Sequence, residues 1–286
     1  MTRNLRIYYY TILGAIGGLL AWRLTDLLHL DQLPLYLADA ALGAAAGLSI
    51  GLLIGCAEGI LSQSIQRGLR SALIGGGIGL LAGVIALPLT ELAFLTIGGE
   101  IGGRVLGWAL FGGLLGLANG VTSGSQMWKS AVGGLIGGAV GGLLLELMLR
   151  QFADPLLGKV AGLILLGASI GALTALIVVA LSRAWLEVRT GKMLGSEFIL
   201  DKFMGEKAHA AILGSNVMKS DIAIQDPDMA PQHARLKGAG THFTLQDMSI
   251  GKGTFVNGRK IELHRLADRE VIKMGSTELV YHERRG

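Results

Sequence analysis

The sequence holds very little cysteine, proline, aromatic residue or charge. Its one cysteine, Cys56, rules out an internal disulfide and any CxxC metal or redox pair. Prolines number five, aromatics make up 6% of the 286 residues and charged residues 16%. The shortage of charge is uneven: Asp, Glu, Lys and Arg are sparse before residue 182 and dense after it. A chain so short of charge over most of its length is not an ordinary soluble domain. In their place stand 45 glycines, 51% hydrophobic residues and a mean hydropathy of +0.54. Composition therefore divides the chain into an apolar domain at 1–183 and a domain of soluble character at 184–286.

Six apolar runs, near 8–28, 36–60, 71–96, 104–122, 129–149 and 157–182, have the length of about 20 residues that carries a helix across a bilayer. The basic start MTRNLRIYYY leads into the first run with no small-residue cleavage site, so this segment is expected to be retained. Tyr8, Tyr9 and Tyr10 suit a membrane interface. Loop cations set the orientation. Arg3, Arg6, Arg67, Arg70, Lys129, Arg183, Arg189 and Lys192 fall on the side of the two termini, against Arg104, Arg150 and Lys159 on the other. That excess predicts both termini in the cytoplasm of a bacterial cell, with the lipid bilayer as the first partner. The opposite connections, near 29–35, 97–103 and 150–156, are too short to hold a domain.

The glycines are patterned. In ALGAAAGLSIGLLIGCAEG they stand at Gly43, Gly47, Gly51, Gly55 and Gly59, one every fourth residue. Gly14 and Gly18 match Gly75 and Gly79, followed by Gly83, and then Gly134, Gly138 and Gly142, at offsets of 61 and 59 residues. With the same offsets Gly51 matches Gly112 and Gly171, while Gly55 and Gly59 match Gly116 and Gly120. Residues four apart share a helix face, and a face without Cβ atoms lets a neighbouring backbone approach closely. In lipid such contact, rather than apolar burial, must hold helices together. The pattern predicts an α-helical membrane bundle of three pseudo-repeated hairpins packed through these glycines, with the even helices central.

Polar residues within the runs are few. Glu58 has Asn119 as its repeat mate, Arg23 and Asp26 are three apart, Glu91 follows Pro88, and Glu146 lies in the fifth run. An ionisable residue inside a bilayer is a functional candidate. Near a helix end it is equally a snorkelling or capping residue, and the sequence leaves both readings open.

After Arg183 the pattern changes to short alternating runs broken by Gly, Asn and Asp every 8 to 12 residues or so, the pattern of an antiparallel β-sandwich. Strands are expected at 185–189, 197–202, 209–213, 221–224, 233–237, 242–246, 254–256 and 277–282, with the Asn-Gly of FVNGRK as a tight hairpin turn. Nothing here is a Ser/His/Asp set, a metal cluster or a phosphate loop before a helix. No catalytic residue, metal or cofactor is therefore expected, and no nucleic-acid partner.

Three ordered segments, ILGSNVMKSDIAIQDPDMAPQHARL, LQDMSIGKGTFVNGRKI and LADREVIKMGSTELVYH, resemble a forkhead-associated (FHA) domain over roughly 184–286. The resemblance implies a β-sandwich of about eleven strands whose loops at one end bind phosphothreonine peptides. Gly214, His233, Gly253, Thr254, Asn257, Gly258 and Gly275 fall on the family's structural positions. The ligand-contacting positions depart from the family. Its phosphate-facing arginine falls on Ser215, its Ser-x-x-His serine on Ala230, its second loop serine on Ile250 and its peptide-gripping asparagine on Lys252. A phosphate calls for charge-assisted donors, and only Lys219 and Lys252 remain to supply charge. The resemblance with these departures implies a peptide-binding face of Ser215, Lys219, Ala230, His233, Ile250 and Lys252 with degenerate phosphothreonine recognition. The expected function is a membrane-anchored, non-enzymatic scaffold or adaptor that engages a cytoplasmic protein or peptide, phosphorylated or not. The alternative is a channel or transporter regulated by the FHA-like domain. Homo-oligomerisation stays open.

Overall fold

The computed structural model describes residues 3–28, 34–62, 65–97, 102–123, 127–204, 208–240 and 242–284. Two compact units emerge, Asn4–Ala180 and Leu181–Gly286.

The first unit contains six described helices: α1 (Arg3–Leu27), α2 (Leu35–Ser62), α3 (Ile65–Ile97), α4 (Gly102–Ser123), α5 (Met127–Gln151) and α6 (Pro155–Ala180). Each coincides with one of the six apolar runs, and α2 to α6 are long and apolar enough to cross a membrane. In α1 three tyrosines and the Arg23–Asp26 ion pair, 2.8 Å, dilute the apolar run. The connections expected near 29–35 and 97–103 lie largely outside the described residues, as does the side chain of Glu91.

Glycines bring the helices together in antiparallel pairs. A methyl group added to Gly43, Gly47 or Gly51 of α2 would meet the backbone of Gly83, Gly79 or Gly75 of α3, one added to Gly55 would meet Ser71, and Gly59 lies against Gly68. Between α4 and α5, Gly112 faces Gly134 and Gly138, Gly116 faces Ser130 and Gly120 faces Met127, while Gly138 and Gly142 both abut Trp108. Between α6 and α1, Gly171 lies on the Tyr10 carbonyl and Gly167 on that of Gly14. A second seam escaped the sequence reading. Gly133, Gly137 and Gly141, each next to a glycine of the first seam, pack on Thr174, Ile170 and Leu166 of α6. The doubled GG of GGLIGGAVGG is its signature: two adjacent faces of α5 are bare, one for each neighbour.

The interior of the unit is a continuous apolar cluster that includes Ile50, Ile54, Phe111, Leu115, Leu166 and Ile170. All six belong to α2, α4 and α6, which touch one another pairwise. Polar groups gather at the two ends. At one, Arg6 donates to Glu58 Oε1 at 2.6 Å, Tyr10 donates to the same oxygen at 2.7 Å, and Asn119 donates to the Tyr10 hydroxyl at 3.3 Å. At the other lie Asp39, Arg104, Glu146 and Lys159. Asp39 and Glu58 are separated on α2 by about 28 Å at a rise of 1.5 Å per residue, close to the thickness of a hydrocarbon core.

The second unit is a β-sandwich of eleven described strands. One sheet has the order β2 (Glu197–Ile199), β1 (Ala184–Val188), β11 (Thr277–Glu283), β10 (Val271–Met274), β7 (Thr254–Val256), β8 (Arg259–Ile261). The other runs β4 (Ile222–Ala223), β3 (Ala211–Gly214), β5 (Ala234–Ala239), β6 (His242–Asp247), β9 (Leu263–Arg265). Strand alternation sends Leu186, Leu213, Leu236, Phe243, Leu245, Ile272 and Tyr281 into one core between the sheets.

Two differences from the sequence reading have physical causes. The strand expected over 197–202 stops at Ile199, because the Asp201 carboxylate accepts the N–H groups of Arg183 and Ala184 and bends the chain into a 3-10 turn, Asp201–Phe203. Strands β8, β9 and β10 were not foreseen. The first two are three residues long and largely polar, RKI and LHR, and give no alternation to read.

Candidate functional site

The Asn257–Gly258 turn sits between β7 and β8 with φ of 50° and 79°, the left-handed pair of a type I′ hairpin. It pairs Val256 with Arg259 and Phe255 with Lys260, and so aims Lys260 back along the sheet. Lys260 folds over Gly253, where an added Cβ would lie 2.7 Å from its Cε. This puts a cation beside the loop between β6 and β7, which spacing alone did not reveal.

That loop is one of three held together at the same end of the sandwich. His233, wholly buried, is the clasp: its Nδ1 accepts the Ala230 N–H at 3.0 Å and its Nε2 pairs with the Gly253 carbonyl at 3.1 Å. The Ala230 carbonyl in turn accepts the Ser215 N–H at 3.0 Å, tying in the loop after β3. Asp247 anchors the β6–β7 loop from within. Its Oδ1 accepts from the Ser249 and Thr254 hydroxyls, both at 2.8 Å, and from the Ser249 N–H at 3.1 Å. Burial pushes the Asp247 carboxyl upward, and these hydrogen bonds outweigh it and hold the group below the ordinary carboxylate range. Asp226 does the same beneath the site. It binds Asp228 N–H at 2.9 Å and Ser276 N–H and the Thr277 hydroxyl at 2.8 Å, which ties the chain after β4 to the β10–β11 turn.

Hydrogen bonds thus join the loops that carry Ser215, Ala230 and His233. Ser215 spends its hydroxyl on the Met229 carbonyl at 3.0 Å. Ala230 offers no side-chain donor, and His233 is consumed by its two loop bonds. Lys219 and Lys252 are exposed on separate loops. Apolar groups share this surface: Ile250 is 99% exposed and Met218 is 91% exposed, with Met248 partly so. Exposed Met and Ile side chains at loop tips offer apolar area and no charged donor for an anion. Met218 and Met248 were not singled out from the sequence, since a lone methionine in a polar loop carries no spacing signal.

Among the described residues no group of three or more His, Cys, Asp or Glu is arranged to hold a metal ion.

The family model described as FHA domain matches residues 211–275. No curated protein matches the chain. Solved structures similar to the second unit include the FHA domain of the CT664 protein from Chlamydia trachomatis, at 28% identity over 36% of this chain and 100% of that one, with a TM-score of 0.33. An FHA domain of an Arabidopsis thaliana hypothetical protein is 22% identical over 37% and 88% of the two chains, TM-score 0.32. The cytoplasmic domain of the type III secretion sorting-platform protein PscD from P. aeruginosa is 17% identical over 36% and 82%, TM-score 0.32.

Proposed function

We propose, from an FHA domain at 211–275 that follows a region with five long apolar helices, that the protein is a non-enzymatic membrane scaffold whose FHA domain docks a cytoplasmic protein. The single observation that carries this reading is the state of the loop end. Its framework is kept through His233, Asp247 and the Asn257–Gly258 turn, while Ser215, Ala230 and Ile250 stand where phosphate and peptide donors are expected by resemblance. A partner segment combining apolar side chains for Met218 and Ile250 with acidic charge for Lys219, Lys252 and Lys260 suits it, and a phosphothreonine is not required.

In this reading α1 is the sixth span and the bundle is three repeated hairpins about a pseudo-threefold axis. The three glycine seams, α2 with α3, α4 with α5 and α6 with α1, support it. So does the burial of Ile50, Phe111 and Ile170, which are related by the 61- and 59-residue offsets. The same apolar centre weighs against a conducting pore, which needs a polar or wettable path.

The test is titration of a 181–286 fragment, which has its own core, with phosphothreonine peptides and their unphosphorylated twins at physiological salt. Weak binding that differs little between the two sets is expected. Tight binding that requires the phosphate would restore a phosphate-dependent function.

A further inference from the structure

The outer face of the five-stranded sheet follows from the alternation of its strands. In β5 the side chains of Ala234 and Leu236 enter the core, which turns Arg235 and Lys237 outward. In β6 Phe243 and Leu245 enter it, which turns Thr244 and Gln246 outward. Register carries the pattern on to β9: Arg265 pairs with Thr244 and Leu263 with Gln246, so both face outward as well. Lys237, Thr244 and Arg265 thus form one row across the sheet, and Arg235, Gln246 and Leu263 form the next. We propose that this face is a docking surface for anionic phospholipid headgroups.

Its charge has one sign. Arg235, Lys237 and Arg265 are all exposed. Strand spacing sets the backbones of Lys237 and Arg265 about 10 Å apart, with Arg235 about 7 Å from Lys237 along β5. No Asp or Glu occupies an outward position of β5, β6 or β9. Acids around the face are spent or turned away. Asp247 lies on the inner side and accepts the Ser249 and Thr254 hydroxyls. Asp221, beyond β3 at the far edge, accepts the Ile212 N–H at 3.0 Å. Glu262 precedes Leu263 and so alternates to the other side of the strand. The ion pairs described in this domain join His264 to Glu270, Arg269 to Asp268 and His282 to Glu187, and take in none of the three cations.

Composition selects the anion. The outward positions of β5, β6 and β9 hold no Phe, Tyr or Trp, the rings on which nucleobases stack and around which protein interfaces centre. An aliphatic side chain stands there instead: Leu263 is 66% exposed beside the cations. Cations around an exposed aliphatic group suit a headgroup layer, where charge meets phosphate and the apolar group reaches the acyl boundary.

Magnitude fits the same occupant. Each cation at an anionic surface strengthens binding about fivefold, so three together give on the order of a hundredfold. That is little for a free protein and enough for a domain tethered to the bilayer, a step that rests on the membrane reading above and its five long apolar helices. With this sheet laid on the headgroups, the joined loops at the end of the sandwich point along the membrane plane and stay open to a partner.

The experiment uses the 181–286 fragment, which closes its own core between two sheets, and its sedimentation with unilamellar vesicles. Vesicles of equal parts phosphatidylglycerol and phosphatidylcholine are compared with phosphatidylcholine alone at about 0.1 M salt, where the Debye length is about 10 Å. Partition onto the anionic vesicles at least about tenfold above the neutral ones is expected, and it should vanish at about 1 M salt, where that length is about 3 Å. The triple substitution Arg235→Gln, Lys237→Gln and Arg265→Gln should lower the partition at least about tenfold and leave the melting temperature unchanged, since all three side chains are exposed. Lys219→Gln, Lys252→Gln and Lys260→Gln, an equal loss of charge at the loop end, should keep most of it. No preference of the parent for anionic vesicles overturns the proposal, and that comparison needs no variant. Equal loss in both triple variants also overturns it, by assigning the attraction to net charge. Tighter binding of duplex DNA or polyglutamate than of the vesicles, through the same three residues, overturns the lipid assignment. The fragment lacks the helices and the vesicles present no peptide, so failure here leaves the docking function of the loop end to its own test.

Discussion

His233 shows how one side chain can hold a loop framework together. Its two ring nitrogens are spent on Ala230 and Gly253, so its role is to hold loops in place. Asp226 is the comparable anchor on the far side of the loops. Burial alone would raise its carboxyl, and the bonds from Thr277, Asp228 and Ser276 more than reverse this, so it stays ionised below the usual carboxylate range. A carboxyl with a depressed folded pKa contributes stability above its unfolded value, near 4, and loses that contribution as pH falls through the folded value. Asp226→Asn in the 181–286 fragment should therefore cost about 1–3 kcal/mol at neutral pH. The gap from the parent should close as pH falls below about 4, as followed by melting temperature. A gap unchanged across that range would mean that the charge of Asp226 contributes nothing. The loops that His233 joins lie within the ordered motifs of the sequence, so their place in the fold was legible. The Arg6–Tyr10–Glu58–Asn119 network was not, because Arg6 reads as a loop charge and only helix packing brings it to Glu58, 52 residues away.

The glycine seams belong to the scale of elements, where the spacing of small residues fixes which helices pair. Gly79 and Gly77 lie on one helix and make an internal comparison. A methyl at Gly79 would strike the Gly47 backbone, whereas one at Gly77 meets nothing within 4 Å. Gly79→Ala should destabilise the bundle by about 1–3 kcal/mol, the usual cost of overpacking. Gly77→Ala should be neutral, or stabilising by up to about 1 kcal/mol through helix propensity. Thermal melts of the full chain in detergent check both; equal melting temperatures would show that the seam does not hold α2 to α3. Helix positions were readable because each helix fills a long apolar run, and the fourfold spacing marked the first seam. Strand positions were readable where inward and outward residues alternate, as in β5 and β6. They were hidden in β8 and β9, whose pairing is imposed by the Asn257–Gly258 turn and by β6.

At the scale of the whole molecule, a unit with five membrane-length apolar helices is followed by an FHA domain. Composition made the two-part division visible, and ordered motifs made the FHA domain visible. The gathering of Asp39, Arg104, Glu146 and Lys159 was not visible, since these residues are spread over more than 100 positions and only the convergence of α2, α4, α5 and α6 brings them to one end. From the excess of loop cations on the side of the termini we infer a cytoplasmic FHA domain. The most direct measurement is labelling with an impermeant thiol reagent in a Cys56→Ala background, comparing Gln151→Cys, at the exposed C-terminal end of α5, with Met218→Cys, on an exposed FHA loop. In intact cells position 151 should label and position 218 should label only after permeabilisation. Labelling of position 218 in intact cells would contradict the account.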